Sequence, residues 1–230
     1  MALIRYAEGQ QRSGHLGASV YSHNRGGQYI RARSIPTNPN TSLQIAVRAF
    51  MGSLMYAWVN TLTQPQRNLW KTYGDQVKVK NRLGEDIYLT GSNHYIRSNV
   101  ALLQAGLTRI DNAPIIYTLA DAEPSFSATG SVATQLISVS FYAGGPWRSE
   151  VGAALLVSQS MPQNPGTLYC GGPWRYVSKI LGAVVPPTPP QTMLATYTMG
   201  LGQRIYLRSR VIRADGRLSN FAQTSFLVAA

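Results

Sequence analysis

The chain has 230 residues, 44% of them hydrophobic, enough for one large domain or two ordinary ones with a real core. One cysteine, Cys170, excludes an internal disulfide and any multi-cysteine zinc centre, and apolar runs such as 153–157 are far too short to span a bilayer. Lysine and arginine total 21 against 9 acidic residues, giving +12; because 17 of the 21 are arginine, the excess suits bidentate protein interfaces as well as phosphate.

Residues 1–17 are polar and glycine-bearing and read as an N-terminal arm. Residues 18–33 alternate as a β-hairpin around Asn24-Arg25-Gly26-Gly27, which supplies the positive-φ positions of a tight turn. Pro36 and Pro39 then break the chain. Thr41 is a suitable N-cap for a helix whose apolar positions are Leu43, Val47, Phe50, Met51, Leu54, Met55 and Trp58. A second helix begins at Thr63, which forms a capping box with Gln66 and has Pro65 in the first turn. Its stripe is Leu69, Trp70, Tyr73 and Val77. Two short strands flank a turn at 81–84, with Lys78 and Lys80 facing away from Val77 and Val79. A third helix runs from about 92 to 105 and stops at Gly106.

The region ending in Asp111-Asn112-Ala113-Pro114 reads as a domain boundary, after which the period changes to two. Strands are expected at 115–119, 134–142, 152–159, 174–181, 191–199, 203–213 and 222–228, the spacing of a β-sandwich. The pentapeptide Gly-Gly-Pro-Trp-Arg occurs twice, at 144–148 and 171–175, and is expected to be one reused turn with its tryptophan over a sandwich edge. The organisation expected is therefore an arm (1–17), an α+β domain of hairpins and about three helices (18–112), and an all-β domain (113–230). Of the net charge, +8 falls in residues 1–112 and +4 in the remainder.

The stretch 200–219 carries a glycine turn at Gly202, then Tyr206, an alternating arginine/apolar strand through Arg213, a turn at Gly216 and Ser219. It resembles the end of a fibronectin type III domain. The resemblance implies a sandwich in which Tyr206 takes the tyrosine-corner role, its hydroxyl satisfying a backbone group near the start of its strand. The proline-rich segment 186–190 and an insertion at 160–173 depart from that pattern. In the N-terminal half, Ser13–Gly17, Asn24–Arg33, Pro39–Gln44 with Arg48, and Leu62-Thr63 through Trp70 together resemble an uncharacterised family of phage-like and bacterial genomes. That resemblance implies a virion-like structural role and no chemistry.

Chemistry is sparse. His15, His23 and His94 show no metal-ligand spacing. Glu85 and Asp86 are strand neighbours that face opposite ways, better suited to balancing nearby lysines than to acid–base work. Cys170 has no histidine near in sequence. The glycine stretches lack the Lys-Ser/Thr ending of a phosphate loop. No catalytic residue, metal, cofactor or small-molecule substrate is expected. Interface or phosphate contacts are expected at Arg25, Tyr29, Arg31 and Arg33 on the hairpin, extended by Lys78, Lys80 and Arg82. Trp58 and Trp70 are expected in the helical core; Tyr206, Gly202 and Gly216 are expected to fix the sandwich.

Two functions remain open. One is a non-enzymatic virion component (capsid-associated, connector or tail), assembled in a host cytoplasm and contacting other virion subunits or copies of itself. The other is a cytoplasmic nucleic-acid-binding protein using the basic hairpin. Neither involves a membrane.

Overall fold

A computed structural model describes the chain except at residues 1, 4–11, 25, 26, 36, 39 and 81–84; at residues 2, 3, 24, 27 and 43 it describes the backbone alone. The fold is mixed α+β with much antiparallel strand. It divides into two compact units, Met1–Ile45 and Ala46–Ala230.

The first unit is a four-stranded antiparallel sheet of β1 (Ala2–Leu3), β2 (Gly14–Leu16), β3 (Ser19–Asn24) and β4 (Gly27–Ala32), in the order β1-β4-β3-β2. The expected hairpin is its centre, with register running from Ser19↔Ala32 to Asn24↔Gly27. The segment expected as an arm instead contributes both edges, through pairs such as Ala2↔Ile30 and Gly14↔Tyr21. Strands of two and three residues are too short for alternation to show in sequence, so backbone pairing alone defines them.

Helix α1 (Ser42–Asn60) leads into the second unit, followed by α2 (Gln64–Gln76), β5 (Lys78–Lys80), β6 (Asp86–Tyr88) and α3 (Gly91–Gln104). At the start of α2, Gln66 N–H donates to Thr63 Oγ1 and Thr63 N–H donates to Gln66 Oε1, so the capping box is complete. The Trp70 ring packs edge-on to Tyr73 and Tyr95, and Trp58 tilts against Tyr95 at 5.5 Å. These rings join Leu54, Ala57, Leu62 and Val77 in one core. Each large side chain buried there contributes roughly 1.5–3 kcal/mol over exposure.

Seven strands follow: β7 (Ser127–Gly130), β8 (Leu136–Ser140), β9 (Ala154–Ser160), β10 (Trp174–Leu181), β11 (Gln191–Leu194), β12 (Arg204–Ile212) and β13 (Ala222–Leu227). They form two antiparallel sheets, β11-β8-β7 and β10-β9-β12-β13. Ile137 and Val139 of one sheet and Leu155, Val157, Ile205 and Leu207 of the other bury against each other in a single core. The first strand differs from expectation. Ile115, Ile116 and Tyr117 are exposed and unpaired, whereas the strand is the small, polar Ser-Ala-Thr-Gly of β7. Gly130 is needed there, because a Cβ would lie 2.6 Å from the Phe226 ring.

The outer face of the four-stranded sheet is partly covered by α3. Ala101, Leu102 and Ala105 pack on Ala154, Leu156, Ile212 and Leu218. Asn99 locks the helix further, accepting from Ile110 N–H at 2.8 Å and donating to its carbonyl at 3.0 Å. Lys179 Nζ of β10 donates to the carbonyl of Ala105 at the helix C-terminus, where a cation is favoured. The expected boundary at 112/113 thus falls inside a unit that α3 and the sheet build together.

Candidate functional site

The expected contact residues are divided between the units. On β4, Tyr29 and Arg31 share a face; Tyr29 is half-buried, while Arg31 and Arg33 are exposed. Arg25 lies outside the described residues, as does Arg82. On β5, Lys80 pairs with Asp86 at 2.7 Å and Lys78 sits 6.0 Å from the Tyr88 ring centre. That side-chain bond to Lys80 holds the Asp86 carboxyl below the ordinary range. Both lysines therefore have neighbours within their own hairpin. Trp58 is half-buried against the helical core; Trp70 is wholly buried, and its indole N–H donates to the Asp111 carbonyl at 2.9 Å.

Gly202 and Gly216 hold φ values of +72° and +88°, the left-handed region that favours glycine. At Gly216 a Cβ would also strike Ile110. Tyr206 is buried on β12, and its hydroxyl donates to the carbonyl of Thr167 at 2.6 Å. The partner thus lies in the 160–173 insertion and not beside the start of its own strand, so the tyrosine ties that long loop to the sheet.

A cluster not anticipated from the sequence lies on the outer face of β12. Arg208 and Arg210 alternate with inward-facing Leu207, Ser209 and Val211. The Arg208 guanidinium lies 4.8 Å from the Trp174 ring and 4.3 Å from Phe221; Arg210 lies 4.5 Å from Phe221. The result is a ladder of Trp174, Arg208, Phe221 and Arg210. Arg210 Nε–H donates to the Ser219 carbonyl at 2.9 Å. Burial, then the charges of Arg97 on α3 and of Arg208, push the Arg210 pKa down to about 9. Burial likewise lowers Arg97 and Arg208. The sequence signal was present in Arg204, Arg208 and Arg210, spaced by four and two residues and so on one face of a strand; the aromatic partners come from distant segments.

Elsewhere several charged side chains are committed to structure. A cleft of about 250 Å³ beside Glu123 includes Tyr142, Trp147 and Arg213 in its walls. Its carboxylate accepts from Tyr142 N–H at 2.5 Å and from the Trp147 indole at 3.0 Å. Arg213 pairs with Glu150, Arg109 with Asp111 and Arg217 with Asp215. Among the described residues no group of three or more histidine, cysteine or carboxylate side chains could hold a metal ion, and no helix is long and apolar enough to cross a membrane.

No known protein family matches the chain, and no curated protein does. Among the solved structures similar at low level are two bacterial proteins. One is a family 76 glycoside hydrolase from a bovine Bacteroides thetaiotaomicron strain, at 10% identity and TM-score 0.34, covering 47% of this chain and 20% of that one. The other is the adhesin domain of Epf from Streptococcus pyogenes, at 7% identity and TM-score 0.29, covering 47% and 32%. The chain thus spans a third or less of either.

Proposed function

We propose that the protein is a non-enzymatic structural component of a larger assembly, working through protein–protein contacts. The observation that carries this reading is α1. Val47, Met51, Met55, Tyr56 and Val59 are all exposed along it. The 19-residue helix has one charged side chain, Arg48. Contiguous apolar surface of this kind marks association sites in soluble proteins. The commitment of most carboxylates to ion pairs and backbone clamps supports a non-catalytic role. Two facing sheets of three and four strands, with Tyr206 on the sixth of the seven, support a fibronectin type III-like sandwich as the scaffold. The resemblance of the N-terminal sequence to an uncharacterised family of phage-like and bacterial genomes makes a virion the assembly we put forward.

Light scattering tests the reading. The wild type is expected to form species heavier than its 25.1 kDa monomer. Met51→Glu with Met55→Glu is expected to return it to a monomer with unchanged unfolding temperature. A monomeric wild type, or a double variant that still assembles, would overturn it.

A further inference from the structure

We propose that Arg97, Arg208 and Arg210 form a carboxylate-binding site that receives an acidic segment of a partner protein. The argument starts from charge. Arg208 and Arg210 share the Phe221 ring at 4.3 and 4.5 Å, α3 packs on the same face of the sheet, and the charges of Arg208 and of Arg97 on α3 both bear on Arg210. The ion pairs among the described residues use Lys80, Arg109, Arg213 and Arg217, and none of these three. The charges sit at half-buried positions, where water screens them less than on an open surface. A ladder that only joined β10 to β12 would be satisfied by one guanidinium on one ring. The charges of Arg97 and Arg208 both oppose that of Arg210, a cost that an incoming anion removes.

Geometry selects the anion. Trp174 and Phe221 flank the Arg208 guanidinium, whose buried Nε–H has no partner, while Arg210 gives its Nε–H to the Ser219 carbonyl; the terminal N–H pairs of both are the groups that can hold a carboxylate by two parallel bonds. The same stacking disfavours single-stranded nucleic acid. Such ligands bind by laying bases on free aromatic faces, and Phe221 is occupied by guanidinium from Arg208 and Arg210 alike. A second copy of the chain is a poor source of the anion, since it carries only 9 acidic residues against 21 basic ones. The partner is therefore a different, acidic protein, and the inference rests on the assembly reading above by naming the chemistry of one neighbour.

Calorimetric titration of the full chain with a glutamate hexapeptide, inorganic phosphate and an oligothymidylate tests this. The peptide is expected to bind the wild type and to lose about tenfold or more in affinity with Arg210→Met, the loss of one charge-assisted contact. Oligothymidylate is expected to show equal affinity for both proteins, and phosphate to bind far more weakly than the peptide. Arg210→Met is expected to keep the fold, the relief of repulsion offsetting the loss of its bond to the Ser219 carbonyl; Arg97→Met gives the same test from the helix side. Peptide binding unchanged in both variants, no peptide binding at all, or an Arg210-dependent preference for oligothymidylate or phosphate would each overturn the proposal. Light scattering on Arg210→Met separates the two readings: assembly without peptide binding sinks the site alone, and Arg210-dependent peptide binding by a monomer sinks the assembly reading alone.

Discussion

The two copies of Gly-Gly-Pro-Trp-Arg have opposite fates. In 144–148 the proline opens a short 3-10 helix, Pro146–Ser149, and Trp147 turns into the core between the sheets, 2% exposed and packed on Phe141. Its indole meets the buried Glu123 carboxylate, and Arg148 donates twice to the Pro187 carbonyl, at 2.8 and 2.6 Å. In 171–175 the tryptophan opens β10 in register with Ser160 and stays on the outer face against Arg208, while Arg175 lies 4.8 Å from the Tyr197 ring. The residues are the same, but the surroundings are not. A pentapeptide does not specify which side of a sheet its aromatic takes; the pairing partner and a waiting acceptor do. The expectation of one reused turn with its tryptophan over an edge therefore describes only the second copy in part, and fails for the first.

The largest expected effect breaks the symmetry directly. Trp147→Ala removes a fully packed ring and leaves Glu123 with one donor fewer, so it is expected to cost about 3–5 kcal/mol in urea unfolding. Equal effects of Trp147→Ala and Trp174→Ala would show that the copies are energetically equivalent and that the difference in burial carries no consequence. A double-mutant cycle between Trp147→Phe and Glu123→Gln is expected to show coupling, since the Trp147 indole donates to Glu123 Oε2 while the Tyr142 N–H is held by the other carboxylate oxygen.

What was legible in the sequence follows the same logic. The Thr63/Gln66 cap is local and was readable, and β10 falls on its expected range because eight residues of alternation outweigh any single contact. The apolar positions of α1 do not by themselves say which of them bury. The helix is apolar around most of its circumference, and periodicity alone cannot say which apolar face a partner takes; Leu54 and Ala57 bury while Met51 and Met55 do not. Strand β7 has no apolar signature at all. It is defined by Gly130, whose missing Cβ admits Phe226 from a strand almost a hundred residues later. The arginine ladder was half legible: its cations alternate on one strand, but Trp174 and Phe221 reach them only through the sheet.

The comparison has to be made at neutral pH, because a group shared by both variants titrates on the acid side. His94 is wholly buried, edge-on to Tyr73 at 5.0 Å. Burial first, and the Arg97 charge second, lower its pKa from 6.5 to about 4. The unfolded chain therefore binds a proton that the folded one refuses. The His94 contribution is intact above about pH 6.5 and is lost as pH falls from there towards about 4, on the order of 1–3 kcal/mol in all. Unfolding measured across that window should show the loss in the wild type and both tryptophan variants alike. A His94→Gln variant that kept the same acid limb would remove His94 as its cause.

The smallest effect sharpens the comparison most. Trp174 is half-exposed, so its loss leaves no sealed cavity; the ring's remaining contribution is its stack under Arg208, worth about 0.5–1 kcal/mol at such a site. Trp174→Ala is expected to cost no more than about 1 kcal/mol in urea unfolding, and Trp174→Phe less still. If that cost arises from the cation and not from buried area, it should vanish in an Arg208→Met background, whereas the penalty of Trp147→Ala should be the same there. A cost of Trp174→Ala that survived the loss of Arg208 would mean that the second tryptophan, like the first, acts as core, and that the outer face of β12 is a packing surface with no charge logic of its own.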